Sequence, residues 1–233
     1  MIRIEEVKVV GWDVAIRGMR NAKNSWDKSD SDWYFVSEEN EEEIENYIDY
    51  DRETNMHYLL GHNDLELMLK LVKAGTDDRK FMRFITVYVD IVAPFYWWKQ
   101  FDTYKVGVDT LSCSTMHTIH QKEFTLSDFS YEHLIHNEPV PCRTFSARQS
   151  LCVQIEILNM YRELFIEHKD KKYWRQLIQL LPSSYNQRRT IKMNYEVLAN
   201  IYGSRKNHKL DEWREFCNWI EEEMPYSELI TGK

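Results

Sequence analysis

Hydrophobic residues near the start and the middle of the chain are spaced as in β-strands. Residues 4–10 open with an isoleucine, two glutamates and a valine, and residues 84–92 are β-branched or aromatic at almost every position. Such side chains fit the pleated surface of a sheet, so each segment is predicted to form a strand. Pro94 ends the second strand and precedes a short aromatic helix predicted over residues 95–104.

Helical spacing prevails in the second half of the chain. Apolar residues recur there at intervals of three and four positions, which predicts helices with one buried face. These helices are predicted over residues 151–165, 172–180, 190–202 and 210–220. In the first half, residues 63–75 show a similar pattern, with an Asn-Asp pair able to cap the helix and a glycine at its end. The strands and helices together predict an α+β fold.

Residues 28–60 interrupt these regular patterns. The stretch has low hydrophobicity apart from scattered aromatic residues, and it contains the acidic run from Glu38 to Glu45. Such a run is more often a solvated loop than a functional site. We therefore predict a single domain over residues 1–233 with a loop or insertion at 28–60. The hydroxyl-rich residues 109–118 are also predicted to form a loop.

Composition and charge narrow the classes of function. Hydrophobic residues make up 43% of the 233 residues and charged residues 29%, as in ordinary globular proteins. The formal net charge of −8 disfavours an extended nucleic-acid surface but permits a small basic pocket for a phosphorylated metabolite. No apolar run is long enough to span a membrane, and the first residues lack the apolar core of a signal peptide. A cytoplasmic protein without membrane contacts is predicted.

Cysteine spacing argues against a metal centre. The four cysteines have no paired C-x-x-C spacing, which disfavours a zinc site or a disulfide framework. We expect free thiols and no bound metal. The cysteines are Cys113, Cys142, Cys152 and Cys217.

The most informative motif lies near the C-terminus. A Leu-Pro pair is followed by a tyrosine and an arginine, then by two asparagines and an arginine, and finally by a histidine and a glutamate. These residues are Leu181, Pro182, Tyr185, Arg188, Asn194, Asn200, Arg205, His208 and Glu212. The order and spacing resemble the C-terminal half of the flavin-dependent thymidylate synthases. The two asparagines and the arginine match without a gap, and a one-residue deletion brings the last two residues into line.

The N-terminal half resembles the same family in outline. Residues 15–20 look like its early arginine-containing helix, and residues 69–75 resemble its conserved helix end. The Ala-Pro pair at 93–94, followed by Gln100, falls at the matching place after a strand. The resemblance covers most of the chain outside residues 28–60. It implies a central antiparallel sheet with flanking helices.

The resemblance also implies a site, a cofactor and an activity. The family transfers a one-carbon unit from methylenetetrahydrofolate to C5 of dUMP, with NADPH-reduced FAD as the source of hydride, in homotetramers that share their sites between chains. The implied FAD-binding residues are Tyr104, Lys105, Asn194, Asn200 and His208. The implied nucleotide-binding residues are Gln100, Arg188 and Arg205, and the catalytic candidates are Cys113, Ser112 and Ser114.

The family's signature motif is changed in this chain. Thr103-Tyr104-Lys105 stands where the family has Arg-His-Arg, and Cys113 stands in place of a serine, unless a shift of one residue brings Ser112 or Ser114 there. Glu196 replaces an arginine of the asparagine-rich helix. Val108, Thr110-Leu111, Thr115-Met116 and Ile178 also depart from the pattern.

Two functions therefore stay open on the same fold. One is an enzyme acting on dUMP or a related pyrimidine nucleotide, and the other is a catalytically inactive module that binds a nucleotide or a protein. An unrelated α+β protein with a chance match is a third, weaker alternative.

Several candidate residues also have a purely structural reading. Arg205 can bind a nucleotide or complement the dipole at a helix end. Cys113 can act as a nucleophile if Lys105 lowers its pKa, or it can be a buried and inert thiol. His208 can cap a helix or lie in a solvated turn. Trp97 and Trp98 are predicted to belong to a core or an interface rather than to a cofactor platform.

Overall fold

The computed structural model describes residues 2–35, 47–51, 53–54, 56–141 and 143–233. The described strands are β1 (Arg3–Val10), β2 (Asp32–Phe35), β3 (Tyr47–Asp51), β4 (Met56–Leu59), β5 (Thr86–Pro94), β6 (Asp109–Ser112) and β7 (Asn186–Asn194). The described helices are α1 (Trp12–Arg20), α2 (His62–Ala74), α3 (Phe95–Phe101), α4 (Thr115–Thr118), α5 (Ala147–His168), α6 (Lys171–Leu180), α7 (Tyr195–Arg205), α8 (Asp211–Glu223) and α9 (Glu228–Thr231).

The strands form two sheets. One has four strands in the order β1-β5-β7-β6, and the other is an antiparallel sheet in the order β2-β4-β3. The predicted α+β class, with antiparallel sheet and flanking helices, is confirmed. By its internal contacts the chain divides into two compact units: the first contains mainly residues 91–103 and 111–189, and the second contains residues 4–90, 104–110 and 190–233. The single domain stays a prediction.

Helices α5 and α6 contribute to the hydrophobic core of the first unit. Ser146 and Gln149 make a reciprocal capping box at the start of α5, with hydrogen bonds of 2.7 and 3.2 Å. Leu158 and Leu177 are fully buried, and each contributes roughly 2 kcal/mol by leaving water. The other buried members of this core are Ile119, Phe124, Phe129, Leu151 and Ile155.

Two adjacent tryptophans belong to the interior of the first unit. Trp97 and Trp98 lie on α3, and neither side chain has any solvent-exposed surface. The indole nitrogen of Trp98 donates a 2.9 Å hydrogen bond to the carbonyl oxygen of Gln187. The prediction that these two residues serve packing is confirmed.

Large aromatic residues hold the second unit together. The fully buried rings of Trp12 and Tyr195 meet edge to face at 5.3 Å between centroids. The Tyr195 hydroxyl donates a 2.7 Å hydrogen bond to the carbonyl oxygen of Pro225, so its polar end is also satisfied. Helix α7 is buried on most of its faces, which places it inside this unit rather than on its surface.

A buried ion pair fastens helix α1 to helix α2 in the second unit. The Nε atom of Arg20 lies 2.6 Å from an oxygen of Asp64, and the two residues are 5% and 0% exposed. The hydroxyls of Ser29 and Ser31 donate to the other oxygen of Asp64 at 2.7 Å, and two backbone amides donate to it at 3.2 Å. Burial alone raises the pKa of Asp64, but these hydrogen bonds and Arg20 outweigh it and hold the pKa below its ordinary value.

The described part of 28–60 is not the loop that the sequence predicts. It contains strands β2, β3 and β4, and Trp33 packs on Tyr58 across the β2–β4 pair at 5.1 Å. Cross-strand aromatic contacts of this kind stabilise strands whose average hydrophobicity is low. The acidic run from Glu38 to Glu45 lies outside the described residues. Whether this region is an insertion stays a prediction.

Two further boundaries differ from the sequence prediction. Residues 190–194 belong to strand β7 and not to the following helix, because buried Ile191 and Met193 alternate with exposed residues in the two-residue period of a strand. Residues 109–118 form strand β6 and helix α4 rather than a loop. All four residues of β6 are exposed, so backbone pairing with the neighbouring strand, and not an apolar face, makes it a strand.

Replacing Asp64 by asparagine should lower the free energy of unfolding by about 3 kcal/mol, because the guanidinium of Arg20 would stay buried without its counter-charge. Urea denaturation followed by tryptophan fluorescence measures this. Asp109→Asn is the matched control, since Asp109 pairs with Lys192 at 3.1 Å in an exposed position and should contribute little. Equal losses in the two variants would contradict this account of the buried pair.

The stabilisation by Asp64 should also depend on pH. Because the folded state holds the pKa of Asp64 below its ordinary value, the contribution is complete above about pH 4 and is lost as the pH falls through the lowered value. The difference in unfolding free energy between the wild type and Asp64→Asn should therefore shrink as the pH is lowered from neutrality towards pH 2. If the difference in unfolding free energy instead increases at low pH, the pKa of Asp64 is not lowered in the folded state.

Candidate functional site

Three of the predicted site residues come together around Trp213 in the second unit. Arg205 stands in the last turn of α7, and its Nε atom donates a 2.8 Å hydrogen bond to the Tyr104 hydroxyl. The same guanidinium lies 4.8 Å from the centre of the Trp213 ring. The rings of Tyr104 and His208 lie 6.0 and 6.3 Å from that of Trp213. We call Tyr104, Arg205, His208 and Trp213 the Arg205 cluster.

The Arg205 cluster combines aromatic faces with a fixed cation. Stacking on indole and a hydrogen bond to a phenol both limit how the guanidinium can turn, so its position is set before any ligand arrives. Arg205 also ends a helix, where a cation is favoured by the dipole. The two readings of Arg205, as a binding residue and as a helix-end charge, are thus compatible.

The surroundings of His208 disfavour its charged form. Burial lowers its pKa, and the nearby charges of Arg205, Arg214 and Lys209 lower it further. The Nδ1 atom accepts a 3.1 Å hydrogen bond from the backbone amide of Leu210, so the proton of the neutral ring is on Nε2. The residue therefore fastens the turn before α8 and keeps one ring N–H as a donor.

Asn194 joins strand β7 to helix α7. Its side-chain oxygen accepts a 3.0 Å hydrogen bond from the backbone amide of Val197 and caps the helix. The loop at Gly107 passes very close: a Cβ atom there would lie 3.0 Å from Val197 and 3.3 Å from Asn194, and Gly107 has a φ of 78°. Only glycine suits both the contact and the backbone angle. Asn194 thus has a structural task in addition to the predicted cofactor contact.

The other predicted FAD-binding residues lie outside the Arg205 cluster. Lys105 and Asn200 are exposed, and no hydrogen bond or ion pair of either side chain is found in the part of the chain that the structure describes. Both remain predictions of the sequence comparison alone.

The catalytic candidates form a continuous segment of the first unit. Ser112 ends β6, and the amide of exposed Cys113 donates a 3.1 Å hydrogen bond to the carbonyl oxygen of Arg188. The hydroxyl of Ser114 accepts from the amide of His117 and caps α4. Cys113 is therefore not the buried thiol of the structural reading. Gln100 is half-buried on α3 in the same unit.

Glu196 forms an ion pair with Arg79. The resembled family has an arginine at the position of Glu196. Arg79 approaches the Glu196 carboxylate with two nitrogens, at 2.9 and 3.0 Å, and Glu196 is buried. A buried carboxylate needs such a partner. The sequence comparison identified the loss of a cation at this position but not the ion pair, because the two residues are 117 positions apart.

A cavity of about 390 Å³ opens beside α1 in the second unit. Its lining combines small residues of α1 and two phenylalanines with two carboxylates, an amide and an amine. The lining residues are Ala15, Gly18, Met19, Asn21, Ala22, Leu71, Asp77, Asp78, Lys80, Phe81 and Phe84. Mostly apolar walls with a few polar groups are typical of small-molecule sites. No sequence pattern indicates this cavity, because its lining residues come from three separate segments.

Two kinds of site are not found among the described residues. None of the helices in the described ranges is long and apolar enough to cross a membrane. No group of three or more His, Cys, Asp or Glu side chains that could hold a metal ion occurs in that part of the chain either.

Comparison with known proteins identifies the fold. No family model and no curated protein matches the sequence. Among solved structures, the chain is similar to two structures of a flavin-dependent thymidylate synthase from Helicobacter pylori with FAD and dUMP. The TM-scores are 0.63 and 0.65, the identities 14% and 13%, and the alignments cover 98% and 100% of this chain and 99% and 98% of the other.

A second enzyme has the same architecture. The chain is similar to a UMP/dUMP methylase from Streptomyces cacaoi bound with 5-Br UMP, with a TM-score of 0.57 and 13% identity over 95% of this chain and 88% of the other. At these identities the comparison establishes architecture rather than activity. The chain has the fold of the flavin-dependent thymidylate synthases, as its C-terminal motif predicted.

Proposed function

We propose that the protein is a flavin-dependent enzyme that transfers a one-carbon unit to C5 of dUMP or a related pyrimidine nucleotide. The observation that carries this proposal is the likeness, over almost the entire chain, to enzymes solved with FAD and dUMP or with 5-Br UMP. The matching order of Asn194, Asn200 and Arg205 in the sequence is an independent support. Methylenetetrahydrofolate and NADPH are the proposed co-substrates, and a homotetramer is the proposed assembly.

Arg205 is a proposed contact of the nucleotide phosphate. A guanidinium with a fixed orientation suits a phosphate, which accepts hydrogen bonds from a planar fork of N–H groups. Gln100 and Arg188 are the proposed further contacts of the nucleotide. One of Ser112, Cys113 and Ser114 is proposed to face the pyrimidine.

The second unit is the proposed location of the flavin. The cavity beside α1, which has mostly apolar lining residues and a few polar ones, is proposed to take part of FAD, since its volume is about 390 Å³. Tyr104 and His208 do not line this cavity, and they are proposed as FAD contacts on the family resemblance alone. Lys105, Asn194 and Asn200 are the further proposed contacts. When bound, FAD would supply the hydride, and the protein would bind and orient the reactants.

The changed signature motif favours a second candidate function. Thr103-Tyr104-Lys105 has lost two of the three cationic side chains that the resembled family places there, and Glu196 adds a carboxylate paired with Arg79. A chain that kept the fold without FAD would be a nucleotide-binding or protein-interaction module. Cofactor binding separates the two candidates.

FAD retention is the first expected result. Protein incubated with FAD and desalted should keep the visible absorbance of a bound flavin in proportion to the protein, and Tyr104→Ala should lose most of it by removing an aromatic face and the partner of Arg205. Tyr34→Ala, at an exposed aromatic residue outside the cluster, is the matched control. A colourless wild type would favour the inactive module.

Arg205 variants test the nucleotide site. Arg205→Ala should raise the dissociation constant for dUMP by roughly tenfold or more, because a charge-assisted hydrogen bond to phosphate is lost. Arg205→Lys should recover only part of this, since an ammonium cannot reproduce the guanidinium fork. Calorimetric titration gives both values, with exposed Arg83→Ala as control. Unchanged affinity in Arg205→Ala would exclude Arg205 from the site.

A further inference from the structure

Gln187 is a buried polar residue whose side-chain amide forms hydrogen bonds through both its nitrogen and its oxygen. It lies on β7 in the first unit and is 8% exposed. Its Nε2 atom donates to the carbonyl oxygen of Cys113 at 2.9 Å and to the hydroxyl oxygen of Thr115 at 3.1 Å. Its Oε1 atom accepts from the Nε atom of Arg189 at 2.9 Å. A buried amide with all of these partners is a well-satisfied polar group.

The two donor contacts hold the segment of the catalytic candidates. They reach residues on either side of Ser114, the residue that caps α4. The amide of Cys113 is also bonded to β7, through the carbonyl oxygen of Arg188 at 3.1 Å. The segment Cys113–Thr115 is thus attached to β7 by its backbone and, through Gln187, by a side chain.

The amide oxygen of Gln187 is held by Arg189, which is itself paired with Asp102. Arg189 donates to an oxygen of Asp102 at 2.7 Å, and its guanidinium lies 4.3 Å from the centre of the Trp98 ring. The Trp98 indole in turn donates to the carbonyl oxygen of Gln187. The Arg189 side chain is 14% exposed, so its position is well defined by these contacts.

This arrangement determines which way the Gln187 amide faces. A guanidinium can only donate hydrogen bonds, so the atom beside it must be the amide oxygen. The amide nitrogen then faces Cys113 and Thr115, where a carbonyl and a hydroxyl oxygen can accept. A glutamate of the same shape would place a carboxylate oxygen against the Cys113 carbonyl and could not donate.

We propose that Gln187 is a positioning residue that holds Cys113–Thr115 in the conformation required for the nucleotide, with its amide oriented by Arg189 and Asp102. The proposal rests on the proposed function, since it takes this segment to face the pyrimidine. It adds to that function a residue that reaches the segment only through hydrogen bonds. It also gives a role to a buried glutamine on a strand whose other buried residues, Ile191 and Met193, are apolar.

Amide hydrogen exchange tests the positioning without any need for activity. In Gln187→Leu and Gln187→Glu, the peptide covering 113–118 should exchange about fivefold faster than in the wild type, because about one net hydrogen bond is lost from the segment. Peptides of α5 should be unchanged. The glutamate variant should behave like the leucine variant, since the lost donor and not the shape is decisive. Gln176→Leu, which removes an exposed side-chain hydrogen bond to Lys172, is the control.

Steady-state kinetics test whether the position of Cys113–Thr115 affects the nucleotide. In an active enzyme, the Gln187 variants should raise KM for dUMP about fivefold with little change in kcat, whereas a loss of stability alone would lower the amount of active protein and leave KM unchanged. Arg189→Met, which frees the amide to turn, should give a smaller change in the same direction.

The outcomes separate this proposal from the proposed function. Unchanged exchange at 113–118 in Gln187→Leu overturns the positioning, whatever the activity. Faster exchange with an unchanged KM in an active enzyme also overturns it, because the segment would then not matter to the nucleotide. If the wild type binds no nucleotide, the proposed function fails, and the exchange result alone still decides whether Gln187 fixes the segment.

Discussion

The hydrogen bond from the Val197 amide to the Asn194 side chain is the constraint on which much of the structure depends. It ends β7 and starts α7 within one residue, so no loop separates the strand from the helix. Strand β7 carries Gln187 and Arg189 before this junction, and helix α7 carries Arg205 after it. If helix α7 started one residue earlier or later, every later side chain of the helix would be rotated by about 100°. The cap therefore sets the direction in which Arg205 faces.

Two buried or nearly buried ion pairs contribute a second kind of constraint. Arg20 pairs with Asp64, and Arg79 pairs with Glu196, both within the second unit. Pairs of this kind fix geometry more than they add stability, because much of the attraction is offset by the loss of hydration. Glu196 illustrates the consequence: a departure from the resembled family at one position is accompanied by an arginine far away in the sequence. The charge was changed, but the site was not left with an unpaired carboxylate.

Local sequence patterns predicted most helices and the central strands. They failed where a strand forms because it pairs with a segment that is distant in the sequence. The alternation of Ile191 and Met193 was present in the sequence, yet the helical spacing that follows concealed it. Strand β6 has no buried residue, so no hydrophobic pattern could reveal it. The aromatic pairs of residues 28–60 become visible only when β2 and β4 are placed side by side.

The candidate site could be predicted in its residue types but not in its contacts. The family resemblance named Tyr104, Arg205 and His208 separately, and the structure groups them around Trp213. No spacing rule connects Tyr104 with Arg205, which are 101 positions apart. Asn194 was predicted from the same resemblance as a cofactor contact, and its visible task is to cap a helix. Gln187 carried no signal in the sequence, because its importance comes entirely from the groups it joins.

The most direct test of the central claim follows the hydrogen at C5 of the pyrimidine. Attaching carbon at C5 must release that hydrogen, so dUMP labelled with deuterium at C5 should lose its label when incubated with the protein, FAD, methylenetetrahydrofolate and NADPH. Mass spectrometry of the recovered nucleotide should show a heavier product without deuterium, and omission of FAD should abolish it. If the protein binds both FAD and dUMP but the recovered nucleotide keeps all of its deuterium, the account is contradicted.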